Sequence, residues 1–170
     1  MKLLVIRHAI AMDREEYAES GNPDDLRALT RKGARRMERI AKALRREVGT
    51  IDRLATSPLT RAVETAEIVA GVYGLDDTEI TYSLVPDAPL EEFEAWCGAE
   101  AAQGVVAIVG HEPHLGSLVT WLLTGFTESR IQLKKGGACL LEFESVPRRG
   151  AGRLHWLLAP RQLKQMAGSP

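Results

Sequence analysis

The sequence predicts an α/β protein: a three-layer α/β/α sandwich around a mostly parallel central sheet, with an antiparallel strand towards the C-terminus. Three observations carry this. An apolar run, Leu3-Leu4-Val5-Ile6, stops abruptly at Arg7-His8, as a strand covered on both faces does when it reaches a sheet edge. Strand-like and helix-like patterns then alternate along the chain, which argues a layered α/β sandwich. The last two strand patterns are joined only by Ser145–Gly152, rich in Pro, Arg and Gly and short for a helical crossover, so an antiparallel pair is expected there.

The elements follow in order. Strands are predicted at Lys2–Ile6, Asp52–Thr56, Val105–Val109, Ala138–Phe143 and Leu154–Leu158, with a short sixth around Glu79–Tyr82. Residues Asp13–Asp25 are charged and contain Gly21-Asn22-Pro23, an exposed loop or frayed helix. Thr30 suits an N-cap for a helix over Arg31–Glu47, with Met37, Ile40, Ala41 and Leu44 on one face and Gly49 as its stop. Leu59–Tyr73 repeats the pattern and ends at Gly74. Pro89 opens a helix to about Ala102, and Pro113 one that ends near Leu123.

The chain has 170 residues, 45% hydrophobic and 26% charged, which fits a single domain over 1–170. Its net charge of −1 gives no global pull towards nucleic acid or an anionic membrane. Neither is expected as a partner, and any anion site must come from local clustering. Cys97 and Cys139 lack metal-like spacing and read as buried free thiols. No signal peptide and no spanning segment of ~20 apolar residues is evident, so a cytoplasmic enzyme is expected.

Three strand ends carry chemistry. The first delivers Arg7-His8, the second Ser57-Pro58-Leu59-Thr60-Arg61, and the third Gly110-His111. Taken singly, each has a plain reading: a solvated loop, a helix start, a turn. If the strands are parallel, the two arginines and two histidines converge on one pocket. Arginine's planar fork matches phosphate oxygens in pairs and keeps its charge. A neutral imidazole in that cradle can attack phosphorus, and a protonated one can stabilise the equatorial oxygens. No metal is needed for that charge neutralisation. The spacing of His111 and His114 occurs in zinc sites, but Pro113 between them and the lack of nearby cysteines argue against zinc. His155, beside Trp156 in a late strand, reads as structural.

Together, Arg7-His8-Ala9, the stretch from Ser57 to Ala66 and Gly110-His111 resemble the histidine phosphatase, or phosphoglycerate mutase-like, superfamily over essentially the whole chain. The resemblance implies a nucleophile at His8, phosphate-binding Arg7 and Arg61, a second catalytic histidine at His111, and no cofactor. The compact length, Leu29-Thr30-Arg31-Lys32-Gly33 and Pro160-Arg161-Gln162-Leu163 resemble the short bacterial phosphohistidine phosphatase branch. That implies a phosphate-bearing substrate, phosphohistidine in a protein. A small phosphomonoester and a non-catalytic phosphoprotein-binding role are the alternatives.

Three departures stand out. Ala9 replaces the family's usual glycine, and Glu64 stands where glutamine is frequent. More important, the family's general-acid glutamate has no counterpart in Tyr82–Asp87, where Asp87 is the nearest candidate proton donor. Asp13, Glu15 and Glu16 are nearer to His8 in the chain but read as solvated. A missing acid penalises alkoxide leaving groups, whose water-like oxygens have a pKa near ~15.7. It penalises imidazole far less, with a conjugate-acid pKa of about 6.5.

Overall fold

A computed structural model describes residues 1–98 and 104–166. Six strands form one sheet: β1 (Lys2–Arg7), β2 (Arg53–Thr56), β3 (Glu79–Ile80), β4 (Val105–Gly110), β5 (Ala138–Glu142) and β6 (Arg153–Leu158). Their spatial order is β3-β2-β4-β1-β5-β6. The first four are mutually parallel, β5 runs antiparallel to β1, and β6 runs antiparallel to β5. The expected antiparallel pair is therefore present, and only β5 opposes the common strand direction.

Alternation along the central strands builds two cores. Leu4 and Ile6 of β1, with Ala107 and Val109 of β4, pack on one side with Met37, Ile40, Ala66 and Leu163. Leu3 and Val5, with Val106 and Ile108, pack on the other with Phe93, Leu115 and Leu118. A sheet buried on both faces needs branched aliphatics at every position rather than at alternate ones, which is why β1 and β4 read as unbroken apolar runs. The covering helices are α2 (Arg31–Val48), α3 (Thr60–Tyr73) and α6 (Pro160–Met166) on one side. α4 (Leu90–Gly98) and α5 (His114–Thr124) lie on the other.

Residues Asp13–Asp25, read as loop or frayed helix, hold a one-turn helix, α1 (Arg14–Ala18), capped by Asp13, and run into a 3-10 turn at Asp24–Leu26. The short sixth strand is two residues long, and Tyr82–Leu84 turns instead into a 3-10 segment. The predicted extension of α4 over residues 99–102 lies outside the described residues. α6 was not expected: Pro160 and Leu163 are its buried residues, too few to set up a helical period. Cys97 and Cys139 are buried free thiols. Among the described residues no helix is long and apolar enough to cross a membrane.

The start of α2 is fixed against the chain leaving β1. Thr30 Oγ1 accepts from Gly33 N at 2.9 Å, and Thr30 N donates to the Ile10 carbonyl at 3.0 Å. A Cβ added at Gly33 would lie 2.0 Å from that carbonyl oxygen, so glycine is required by close approach. Gly33→Ala is expected to destabilise the fold by about 1–3 kcal/mol through overpacking, although alanine favours a helix more than glycine. Denaturant unfolding checks this.

Candidate active site

The parallel register decides what meets at the sheet edge. Arg7 lies beside Gly110 and Thr56 beside Val109, so the residues that follow β1, β2 and β4 emerge side by side. Arg7, His8, Arg61 and His111 line a single cavity of about 760 Å³. The His8 and His111 rings stand 5.1 Å apart between centroids, tilted by 49°.

Each of the four is held by backbone or by a short polar bridge. His8 N donates to the Gly110 carbonyl at 3.0 Å, tying the first and third strand ends together. Its ring Nδ1 lies 2.7 Å from the Ala9 carbonyl. A carbonyl only accepts, so Nδ1 carries the proton and the neutral ring keeps its lone pair on Nε2. Ala9 N donates to Thr65 Oγ1 at 3.0 Å, and that hydroxyl donates to the Arg61 carbonyl at 2.6 Å. Thr65 thus fixes the turn after His8 to the helix that carries Arg61. Ala9 does not have positive φ, so alanine in place of glycine strains nothing.

His111 Nε2 is hydrogen-bonded to Ser57 Oγ at 2.9 Å, whereas the N-cap of α3 is Leu59. Arg7 donates from Nη1 to the Leu133 carbonyl at 2.7 Å. Glu112 accepts from Leu133 N at 2.9 Å, bracing the peptide that holds Arg7. Gly136, at φ +77°, donates its amide to the carbonyls of both Arg7 and His8, at 3.1 and 3.0 Å. That turn brings Lys135 to the cavity.

Arg61 is gripped from the far side. Its Nη1 donates to the Asp24 carbonyl at 2.9 Å, and its Nη2 pairs with the Asp24 carboxylate at 3.2 Å. The same carboxylate accepts from Arg27 Nε at 2.8 Å. Nε of Arg7, Nε of Arg61 and Nδ1 of His111 are buried without a partner. Buried donors of this kind carry a large free-energy cost unless something accepts from them, and an oxyanion in the cavity suits the two guanidiniums. No three His, Cys, Asp or Glu side chains among the described residues are grouped to hold a metal ion.

Burial, reinforced by Arg61, Arg7 and Lys135, lowers the His8 pKa to about 3 against the hydrogen bond to Ala9. Burial, with His8 and Arg61 nearby, lowers His111 to about 2. Both rings are therefore neutral near pH 7. Burial also raises Glu112 above the usual carboxylate value, while the Arg27 hydrogen bond lowers Asp24.

All the site residues expected from the sequence reach this cavity, Asp87 among them. Asp13 lines it too, while capping α1. Glu64 does not, and instead accepts from Leu29 N at 2.6 Å. His114 is buried at the start of α5, away from the lining. His155 bonds Glu142 at 2.8 Å across the outer strands. Asp24, Glu112, Lys135 and Thr65 were missed. Glu112 carried a signal in its adjacency to His111, and Thr65 lies within the Ser57–Ala66 stretch.

A family model for the histidine phosphatase superfamily (branch 1) matches residues 3–94. An uncharacterised protein of Picosynechococcus sp. is 37% identical over 139 residues, covering 81% of this chain and 82% of its own length. Phosphohistidine phosphatase SixA of Escherichia coli is 28% identical over 167 residues, covering 96% of this chain and 97% of its own. The solved structure of the protein histidine phosphatase SixA complexed with tungstate superposes with a TM-score of 0.78 at 24% identity, covering 96% of this chain and 99% of that one. Strand order, the residues at the three strand ends and these matches agree: the chain belongs to the histidine phosphatase superfamily.

Proposed function

We propose that the protein is a metal-independent phosphatase that works through a phosphohistidine intermediate on His8, with phosphohistidine in a protein as its substrate. One observation carries the reading: two neutral imidazoles and two guanidiniums, with buried unpartnered N–H groups, share one cavity. The near full-length relative named as a phosphohistidine phosphatase supports the substrate class.

The chemistry follows from the tautomer. With Nδ1–H committed to Ala9, His8 Nε2 attacks phosphorus as the bond to the leaving nitrogen breaks. The leaving imidazole takes up a proton from solvent, and Arg7 and Arg61 hold the phosphoryl oxygens. His111 stabilises the same oxygens, and Ser57 keeps its ring in place. Water then attacks the phosphorus on His8, the P–Nε2 bond breaks, and inorganic phosphate departs while the imidazole of His8 is regenerated in place. The positive charge that a metal would otherwise bring comes from the guanidiniums.

Asp87 lines the cavity and is our candidate proton donor. Its presence there also favours a second reading, hydrolysis of a small phosphate ester, for which a proton on the leaving oxygen matters most.

His8→Ala is expected to reduce hydrolysis of p-nitrophenyl phosphate by about 10³-fold or more. Acid-labile label from a phosphodonor should appear on the wild type and vanish from the variant. A variant as fast as wild type overturns the phosphoenzyme. Asp87→Asn should slow an alkyl phosphate by about 10²–10⁴-fold and a phosphohistidine peptide far less. Equal losses on both would contradict the leaving-group argument.

The two histidines also give the fold a pH dependence. The unfolded imidazoles bind protons from about pH 6.5 downward, whereas the folded ones wait until about 3 and about 2. Below pH 6.5 the unfolded state therefore holds more protons, and stability falls as the pH falls. Between pH 7 and 5 the expected loss is about 2 kcal/mol for each histidine. Urea titrations at both pH values measure it, and a His8→Gln/His111→Gln double variant should lose correspondingly less.

A further inference from the structure

The α2–α3 face carries a charge that the whole chain does not. α2 holds eight Lys and Arg side chains and two carboxylates in a protein of net charge −1, so the remainder is net acidic. Arg31, Arg35, Arg39, Lys42 and Arg46 recur every three or four residues, which sets them in a row along the helix. All are exposed. Arg31, Lys32 and Arg35 form no ion pair with any described residue. Like charges spaced by four destabilise a helix; Glu38 compensates Lys42 at 2.7 Å, and the Arg31–Arg35 pair is the part of the row that an anionic partner would relieve.

The row borders a concavity. Between α2 and α3 lies a groove of about 860 Å³, with Ala34, Ile68, Gly71 and Val72 giving apolar surface and Arg35 and Lys42 giving charge. A hollow lined by Leu29, Thr30 and Arg31 continues it and shares Ala34, Glu67 and Ile68 with it. That end lies towards the catalytic edge. Leu29 bonds to Glu64, three residues beyond Arg61 on α3, and Asp24 and Arg27, just before Leu29, line the phosphate cavity.

We propose that this groove docks an acidic, partly apolar surface of a phosphoprotein, held so that its phosphoryl group reaches the Arg7–His8 cavity. Its use in turnover rests on the phosphatase reading above; the docking itself does not. A protein surface fits better than a nucleic acid, because Ala34, Ile68 and Val72 set apolar surface beside the charges of the groove. The apolar floor asks for side chains.

The test uses two versions of a designed helical bundle bearing one surface phosphohistidine, one acidic and one neutral, with p-nitrophenyl phosphate as control. In the variant Arg31→Glu/Arg35→Glu/Lys42→Glu, kcat/KM for the acidic bundle should fall about tenfold or more, with a gap that narrows at high salt. The neutral bundle and the aryl phosphate should be unaffected. Equal losses on both bundles, or none on the acidic one, would overturn the docking. The corresponding triple Gln variant, checked by thermal melting, should show a smaller loss in the same direction. If wild type hydrolyses the aryl phosphate but neither bundle, the phosphohistidine reading fails by itself. Calorimetry with the unphosphorylated acidic bundle then decides the docking: binding to wild type that is lost in the Glu variant supports it, and no binding overturns it. Tighter binding of single-stranded RNA than of that bundle, at the same salt, overturns it in favour of nucleic acid.

Discussion

Parallel pairing of β1, β2 and β4 is the constraint on which the site depends. With Arg7 beside Gly110 and Thr56 beside Val109, three chain segments end their strands at the same level. Side chains more than fifty residues apart then become neighbours. A one-residue slip in a strand turns every side chain to the opposite face. The two-sided apolar cores of β1 and β4 therefore secure the catalytic edge as well as the sheet.

That edge concentrates groups that resist being together. Buried Arg61 and half-buried Arg7 stand beside two buried imidazoles, and burial, reinforced by these cations, keeps the imidazoles neutral. The arginines keep their charge and are steadied from behind, Arg7 by the Leu133 carbonyl and Arg61 by Asp24. Thr65 and Ser57 spend their hydroxyls on holding the neighbouring elements in register. Preorganisation of this kind is where electrostatic catalysis gains most, since little has to move when charge develops.

Much of this was legible in the chain. Unbroken aliphatic runs in β1 and β4 announced buried strands, and a polar or cationic residue at the end of such a run has no packing reason to be there. Thr30 and Gly49 marked the ends of α2 as written. Other parts have no local signature. Asp24 lies among several acids in a polar stretch, and its meeting with Arg61 depends on how residues 19–27 cross the sheet edge. Lys135 follows a long irregular segment, and only the Gly136 bonds to Arg7 and His8 bring it inward. α6 offered two buried residues in seven, less than a helical period needs. Thr65 looked like one more polar residue on α3 because its partner, Ala9 N, is an unmarked backbone amide.

The carboxylate that Asp24 places on Arg61 bears on the end of the catalytic cycle. A guanidinium that keeps an internal anion is never stripped bare when inorganic phosphate departs, so the emptied state is less unfavourable than it would otherwise be. Tight retention of a small dianion is the natural hazard where two guanidiniums, Arg7 and Arg61, line one cavity. In the proposed mechanism, sharing Arg61 with the protein's own side chain trades some ground-state affinity for a shorter product residence time.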